Sequence, residues 1–151
     1  MLGTLSLDQI NQILAFEAVG RIGCYSEGQI YIVPISYVYD SESIYGHSTE
    51  GLKLRMMRAN PAVCFEVDHV NTMTNWQSVI AWGTFEELSG EAAQQGMQLL
   101  LDRFHFLATS ETGLSPSFPG GTSSHRIDTS GRPAVIYRIR LTKKTGRFEQ
   151  R

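Results

Sequence analysis

An excess of basic residues, long apolar runs and a secretory signal are all missing from this sequence, and each absence excludes a class of protein. The net charge is −2 and the pI is near 6.1, whereas a general nucleic-acid-binding protein usually carries a basic excess. No apolar run approaches the ~18 residues of a membrane span. The N-terminus, MLGTLSLDQINQ, lacks the basic start and apolar centre of a secretory signal. The sequence therefore predicts a cytoplasmic protein that binds neither nucleic acid nor membranes.

Cysteine and the common catalytic motifs are also scarce. The two cysteines, Cys24 and Cys64, form no CxxC pair and have no histidine near them at zinc-binding spacing. The HExxH, GxSxG, GxGxxG and P-loop patterns are absent. We therefore expect no metal site, and we interpret both cysteines as small apolar residues of the core.

The composition of the chain is that of one globular domain. It has 151 residues, of which 42% are hydrophobic and 19% are charged, and it contains no internal repeat. This length and balance are ordinary for a single folded unit with a real core. We expect residues 1–151 to form one domain.

The first 40 residues predict a helix followed by a β-hairpin. Ser6 and Gln9 have the spacing of a capping box, and apolar residues then recur at helical spacing. Two strand-like runs, at 19–26 and 29–39, flank a Glu-Gly turn. Within the second run the apolar side chains change parity at Pro34, which predicts a sheet edge or a β-bulge there. A bulge would leave backbone groups free to bind a flat polar ring.

The rest of the chain predicts four more strands and two more helices. The strands fall at 43–48, 62–70, 76–88 and 133–142. Thr49 is the expected cap of a helix that ends near residue 58, and Ser89 is the expected cap of a helix over about 90–107. Residues 108–133 are rich in Ser, Thr, Gly and Pro, and loops of this length are usually functional or mobile. Mostly adjacent strands with turn signals between them predict a mostly β (α+β) fold built on an antiparallel barrel.

Polar residues are densest where the strand at 43–48 gives way to a helix. The run is His47-Ser48-Thr49-Glu50-Gly51-Leu52-Lys53. Helix N-termini present unpaired N–H groups and a partial positive charge, which bind phosphate. The hydroxyl groups of Ser48 and Thr49 and the ammonium group of Lys53 suit the same ligand. The pattern alone leaves two hypotheses open, a phosphate site and an ordinary capped helix with a solvated lysine.

Two other groups of side chains allow a similar pair of interpretations. Trp76 and Trp82 share one strand face with Ser78. They are either core or interface residues, or an aromatic wall beside a cofactor. Arg138 and Arg140 share a face of the last strand, which is either solvated or lines an anionic site.

Four sequence blocks, taken in order, resemble one known family. They are VPISYVYD at 33–40, SIYGHSTEGLK at 43–53, ANPAVCFEVD at 59–68 and WQSVIAWGTFEEL at 76–88. Together they resemble the pyridoxamine 5′-phosphate oxidase-like split-barrel flavoproteins, and most of all the branch that contains nitroimidazole-resistance proteins. The resemblance runs from about residue 7 to 149 and is weakest over 108–133. It implies an antiparallel split β-barrel with flanking helices, assembled as a homodimer that binds FMN between its subunits.

The resemblance also implies which residues contact the cofactor. The residues expected along the isoalloxazine are Pro34, Ile35, Ser36 and Tyr37. Those expected to hold the FMN phosphate are Ser48, Thr49 and Lys53. Gln77 and Ser78 are expected to reach the flavin from their strand. His47 matches the histidine that this branch places near the flavin, and it is the candidate catalytic residue. The candidate residues for a subunit interface are Trp76, Trp82 and Tyr37.

The sequence departs from the family pattern at three places. Gly46 stands where an aromatic residue commonly precedes the histidine. Leu52 stands where a second basic residue is often seen, and Arg55 is the nearest residue that could compensate. The C-terminal basic residues with which the oxidase holds pyridoxamine phosphate are not found, so we do not expect true pyridoxamine phosphate oxidase activity.

The resemblance supports one function and leaves others open. It implies a flavin-dependent oxidoreductase that acts on a small molecule, in the manner of a nitro-aromatic reductase. The alternatives are a non-catalytic flavin-binding or flavin-storage module, and a haem- or deazaflavin-binding member of the same fold. Fold alone does not decide among them.

Overall fold

The computed structural model describes residues 1–109 and 134–151. Residues 110–133, the greater part of the predicted loop, lie outside the described part of the chain. The three helices of the described part are α1 (Leu7–Phe16), α2 (Leu52–Ala59) and α3 (Gly90–Thr109). Its strands are β1 (Leu2–Thr4), β2 (Val19–Ser26), β3 (Gln29–Ser36), β4 (Val38–Tyr39), β5 (Ser43–Ser48), β6 (Ala62–Thr72), β7 (Asn75–Glu87) and β8 (Val135–Gln150).

One antiparallel sheet carries all of these strands. Its order is β3-β2-β6-β7-β8-β5-β4, and β1 pairs with β8. The strands at the two ends of this order, β3 and β4, are separated in the chain only by Tyr37, whose N–H donates to the Ala18 carbonyl at 3.1 Å. The sheet therefore curls so that its two edge strands, β3 and β4, follow each other end to end. No hydrogen-bonded ladder between β3 and β4 closes the sheet. The predicted antiparallel split β-barrel with flanking helices is confirmed.

Helix α1 forms for the local reasons that its sequence suggests. The Ser6 hydroxyl accepts from the Gln9 N–H at 3.2 Å, and the Gln9 side chain accepts from the Ser6 N–H at 2.8 Å, so the capping box is complete. Ile10, Ile13 and Leu14 are buried on one face of the helix. Each such side chain contributes roughly 1.5–3 kcal/mol when it leaves water. The helix therefore closes one side of the barrel core.

The β2–β3 hairpin is confirmed, and of the two alternatives predicted at Pro34 the sheet edge is confirmed and the β-bulge is wrong. The turn residues Glu27 and Gly28 have φ angles of 52° and 76°, as a two-residue hairpin loop requires. Register is unbroken past Pro34, which lies opposite Arg21. Pro34 lies on an edge strand instead, where its missing N–H costs no ladder bond. The parity never changes, because Ile30 and Ile32 point outward and are 74% and 69% exposed.

The remaining elements follow their predictions with different ends. Strand β5 has the predicted bounds, and β6 and β7 are each within two residues of theirs. Strand β8 continues to Gln150, past the predicted end at 142, because its second half pairs with β7 and β1. Strand β1 was not predicted, since three residues carry no periodicity. Cys24 is buried and Cys64 is partly exposed; both are free thiols.

Two apolar clusters hold the helices against the sheet. The larger fills the barrel and includes α1 and α2 side chains, and Leu54 and Met57 are fully buried in it. The smaller packs α3 on β5 through Tyr45, Leu100 and Phe104. Among the described residues, no helix is both long and apolar enough to cross a membrane.

Candidate functional site

The site is built where β5 ends and α2 begins. The N-cap of α2 is Gly51, and no side chain in the described part of the chain caps the helix, so the predicted cap at Thr49 is wrong. The Ser48 hydroxyl donates to the Thr49 carbonyl at 2.8 Å and must rotate to donate to a ligand. The first N–H groups of α2 therefore have no side-chain acceptor within residues 1–109 and 134–151. An anion at this end would meet unpaired donors and the positive end of the helix dipole.

Lys53 brings a positive charge into the first turn of α2. Its side chain is partly buried, and no carboxylate lies within ion-pair distance of it among the described residues. Burial lowers the pKa of the Lys53 ammonium below its ordinary value of 10.5. A buried cation without a counter-ion is costly. An anionic ligand would relieve that cost, because it supplies the missing partner.

His47 lies one strand position before Ser48 and faces α3. Its ring centroid is 6.5 Å from that of Phe104. Burial, and then the charge of Lys53, lower the pKa of His47 from 6.5 to about 4. The imidazole is therefore neutral at pH 7, which suits a contact residue better than a donor that must be an imidazolium ion.

Arg55 is the nearest residue that could supply the basic group missing at Leu52. The two positions are three apart on α2 and share a helix face, and both side chains are exposed. Arg58, one turn further, is held by Glu50 and Glu87. Lys53 is therefore the one α2 cation that is both partly buried and free of an ion pair in the described structure.

Steric crowding explains why a glycine precedes His47. Gly46 lies opposite Tyr137 in the β5–β8 ladder, and a Cβ at position 46 would lie 2.5 Å from the Tyr137 hydroxyl oxygen. Tyr137 is fully buried, and its hydroxyl has no hydrogen-bond partner among the described residues. The ring from β8 therefore occupies the space next to position 46. Sequence spacing could not show this contact, because it joins strands about 90 residues apart.

The four residues of the predicted ring-binding segment alternate between two faces. Pro34 is exposed and Ser36 partly exposed, whereas Ile35 and Tyr37 are buried. The Tyr37 hydroxyl donates to the Leu14 carbonyl at 2.7 Å inside the core. The side chain of Tyr37 is therefore committed to the core, and only its backbone remains for the predicted ligand or interface contact.

Gln77 and Ser78 also point to opposite faces, since they are successive residues of β7. Ser78 belongs to what we call the outer sheet face, the solvent side of β3, β2, β6 and β7. This face includes Ile32, Arg21, Glu66, Asp68, Ser78, Ile80 and Trp82. Gln77 is paired with His69 and Phe148 in the ladders and lies on the other side.

The predicted site residues fall into two separate groups in one chain. Ser48 is opposite Val135 on β8, and Ser78 is opposite Arg147 on the same strand. The two positions are 12 residues apart (147 − 135), or about 40 Å of strand contour. No described side-chain contact joins the groups. The structure thus brings together His47, Ser48, Thr49 and Lys53, and it places Ser78 elsewhere on the same barrel.

The paired arginines of β8 have a structural role. Arg138 and Arg140 each place Nε within 3.0 Å and 2.9 Å of Glu86 Oε1. These contacts hold the Glu86 carboxyl with a pKa below its ordinary range. The predicted alternative of an anionic ligand at these arginines is not needed, because β7 already supplies the anion.

Fold and site together define a split-barrel protein with a partly buried lysine in the first turn of α2. Residues 6–148 match the family model described as pyridoxamine 5′-phosphate oxidase. The chain therefore belongs to this family, and the predicted family is confirmed.

Similar proteins are known from several bacteria. An uncharacterized protein of Rhizobium meliloti strain 1021 is 28% identical over 144 residues, 95% of this chain and 92% of the relative. The crystal structure of an FAD-binding protein from Mesorhizobium loti is 29% identical, with a TM-score of 0.74 over 100% of this chain and 98% of that one. A candidate 5-nitroimidazole antibiotic resistance protein of Bacteroides thetaiotaomicron is 19% identical, with a TM-score of 0.68 over 98% and 89% of the two chains.

Proposed function

We propose that this protein binds FMN and uses it, in the cytoplasm, to reduce a small molecule such as a nitro-aromatic compound. The observation that carries the proposal is Lys53, a partly buried cation with no anion partner among the described residues, at the uncapped start of α2. A phosphate monoester supplies that anion. The Mesorhizobium loti relative is named as FAD-binding, which supports a flavin as the molecule that carries the phosphate.

Different residues of the chain would have different roles at this site. Lys53 and the first turn of α2 would hold the phosphate, and Ser48 would turn its hydroxyl toward it. A neutral His47 would contact the ring or the substrate. When bound, the flavin supplies the redox chemistry, and the protein supplies position and electrostatics.

A homodimer is part of the same proposal. The outer sheet face exposes Ile32 (69%), Ile80 (40%) and Trp82 (38%), and a second copy would cover this apolar surface. The separation of Ser48 from Ser78 within one chain supports a flavin that contacts the two residues on different subunits. Ile32→Asp should shift the protein toward the monomer in analytical ultracentrifugation. Met73→Asp, at an 89% exposed turn residue outside this face, should leave the mass unchanged.

Identification of whatever copurifies tests the cofactor. We expect a yellow protein with flavin absorbance bands, no Soret band, and the mass of FMN in the denatured supernatant. Titration of the apoprotein with FMN, FAD and riboflavin then ranks the three ligands. A Soret band, or tighter binding of FAD than of FMN, would contradict FMN as the cofactor.

A non-catalytic flavin carrier is the second candidate. It is favoured by the neutral state of His47, because His47 then offers no imidazolium acid at pH 7. Turnover with a reduced nicotinamide and a nitro-aromatic acceptor separates the candidates. Multiple turnovers support the oxidoreductase, whereas tight flavin binding without turnover supports the carrier.

A further inference from the structure

Glu66 occupies an unusual place on the outer sheet face. It lies on β6 between Arg21 of β2 and Ile80 of β7 in the ladder, and its side chain is 29% exposed. The apolar Ile80 and Trp82 on the same face make a charged group there costly unless it has partners. Glu66 therefore requires an explanation that an ordinary solvated strand residue does not.

The two oxygens of the Glu66 carboxylate have different partners. Oε1 lies 3.5 Å from Arg21 Nη1, and Oε2 accepts from the Ser78 hydroxyl at 3.4 Å. Both distances are long for contacts of their type, so both contacts are weak. Asp68, on the same strand and face, lies directly opposite Ser78.

The hydroxyl of Ser78 has one proton and two lone pairs. While that proton goes to Glu66, the lone pairs of Ser78 remain for a ligand, so Ser78 acts as an acceptor. If Glu66 carries its own proton, it can donate to Ser78, and Ser78 is then free to donate. The state of Glu66 therefore decides which polar group Ser78 can recognise.

We propose that Glu66 is a positioning residue that makes Ser78 a hydrogen-bond acceptor for a ligand N–H, the imide N–H of a flavin ring. This proposal rests on the proposed function, because it assumes that a flavin reaches Ser78. It assigns Glu66 to recognition of the ring, whereas Lys53 recognises the phosphate.

The groups that face Glu66 predict how recognition changes with pH. They are Arg21 from β2, Asp68 from β6 itself and Ser78 from β7, with Arg147 of β8 beyond Ser78. Burial, and then repulsion by Asp68, raise the pKa of Glu66 above its ordinary 4.5. Ser78 therefore changes from donor to acceptor as the pH rises through a range above 4.5.

Riboflavin and its N3-methyl derivative are the probes that isolate this contact. Neither has a phosphate, so neither reports on Lys53 or on phosphate ionisation, and only riboflavin has the imide N–H. We expect the wild-type protein at pH 8 to bind riboflavin about 2- to 10-fold more tightly than the methylated flavin. The ratio should shrink toward pH 5, and fluorescence titration measures it.

Three variants separate positioning from a general effect on the fold. Glu66→Leu cannot accept from Ser78 and should abolish the preference, whereas Glu66→Gln still accepts through its amide oxygen and should keep it at every pH. Ser78→Ala should abolish it too, and adding Glu66→Leu to Ser78→Ala should change nothing more. Glu86→Gln, at a strand glutamate held by two arginines, is the matched control and should leave the ratio unchanged.

The outcomes distinguish this proposal from the proposed function. Binding of neither FMN nor riboflavin by the wild-type protein defeats both. Flavin binding with no preference for the N–H, or with equal preference in wild type and Glu66→Leu, overturns the role of Glu66 alone. A Glu66→Gln profile that follows pH like the wild type also overturns it, because an amide does not titrate.

Discussion

The two ends of helix α2 treat their basic side chains in opposite ways. At the C-terminal end, the Arg58 guanidinium donates to both oxygens of Glu50 at 2.7 and 2.8 Å and to Glu87 at 2.7 Å. At the N-terminal end, Lys53 is more deeply buried and has no carboxylate partner among the described residues. Arg58 is therefore paired by the fold, whereas the more buried Lys53 is not paired within the described structure.

On the proposed function, this difference separates the structural charge of Arg58 from the functional charge of Lys53. A fold alone gains nothing by burying an unpaired ammonium group, since desolvation is unfavourable. The arrangement becomes favourable only if a ligand completes it. The predictions below test whether the N-terminal end of α2 is built for a ligand and the C-terminal end for stability.

The largest expected effect concerns His47, the second titratable group at the N-terminal end. The pKa of His47 is about 4 in the folded protein and 6.5 ordinarily, so the unfolded chain binds this proton more readily. Stability is therefore fully present above pH 6.5 and is lost as the pH falls toward 4, by ~3 kcal/mol in total. His47→Gln should flatten this part of the profile.

Urea unfolding between pH 4 and 7.5 measures the effect. The difference in unfolding free energy between wild type and His47→Gln should change over pH 6.5–4 and stay constant above that range. His105→Gln, at an exposed position of α3, is the matched control. Parallel curves for wild type and His47→Gln would show that His47 is not kept neutral by burial.

The second prediction removes the unpaired cation itself. Lys53→Met should lose a charge-assisted contact of about 1.5–3 kcal/mol, which is roughly a 10- to 150-fold weaker affinity for FMN. Riboflavin lacks the phosphate and should bind the variant and the wild type alike. Isothermal titration with both ligands provides the measurement. Equal losses for the two ligands would mean that Lys53 acts through the fold.

The third prediction adds a competitor at the same end. Gly51 caps α2 with an extended backbone, and nothing lies closer than 4.0 Å to a Cβ placed there. Gly51→Asp should stabilise the apoprotein by a few tenths of a kcal/mol, because the carboxylate accepts from the free N–H groups. The same carboxylate should weaken FMN binding by about 1 kcal/mol, near fivefold, through occupied donors and repulsion.

Gly51→Asn separates the two causes within that variant. It caps the helix equally well without a charge, so it should weaken FMN binding less than Gly51→Asp. Tighter FMN binding in either variant would show that the N–H groups of α2 do not hold the phosphate.

Local signals in the sequence were enough to predict several of these structural features. The capping box at Ser6, the hairpin turn and the bounds of β5 depend on neighbouring residues, and all are confirmed. Lys53 and Ser48 could be placed at one helix start for the same reason. The family blocks added the barrel, since strand order is not encoded in any single segment.

The errors have a common physical cause, which is that a strand pattern does not say which face is covered. The parity argument at Pro34 assumed that Ile30 and Ile32 point inward, but both lie on an exposed apolar face. Glu66 was missed for the converse reason, because an alternating glutamate is typical of a solvated face. The position of the α2 cap, at Gly51 rather than Thr49, depends on the path of the backbone from β5 to α2.

The smallest expected effect is at the C-terminal end of α2 and completes the comparison. Arg58→Met removes ion pairs whose members are 35–57% exposed, and such pairs contribute little because water screens them. The melting temperature should fall by about 2 °C in low salt and less in 0.5 M NaCl. FMN affinity should remain unchanged, since Arg58 already has its anions. A loss of FMN affinity in Arg58→Met as large as that in Lys53→Met would erase the distinction between the two ends, and the start of α2 would no longer stand out as the ligand site.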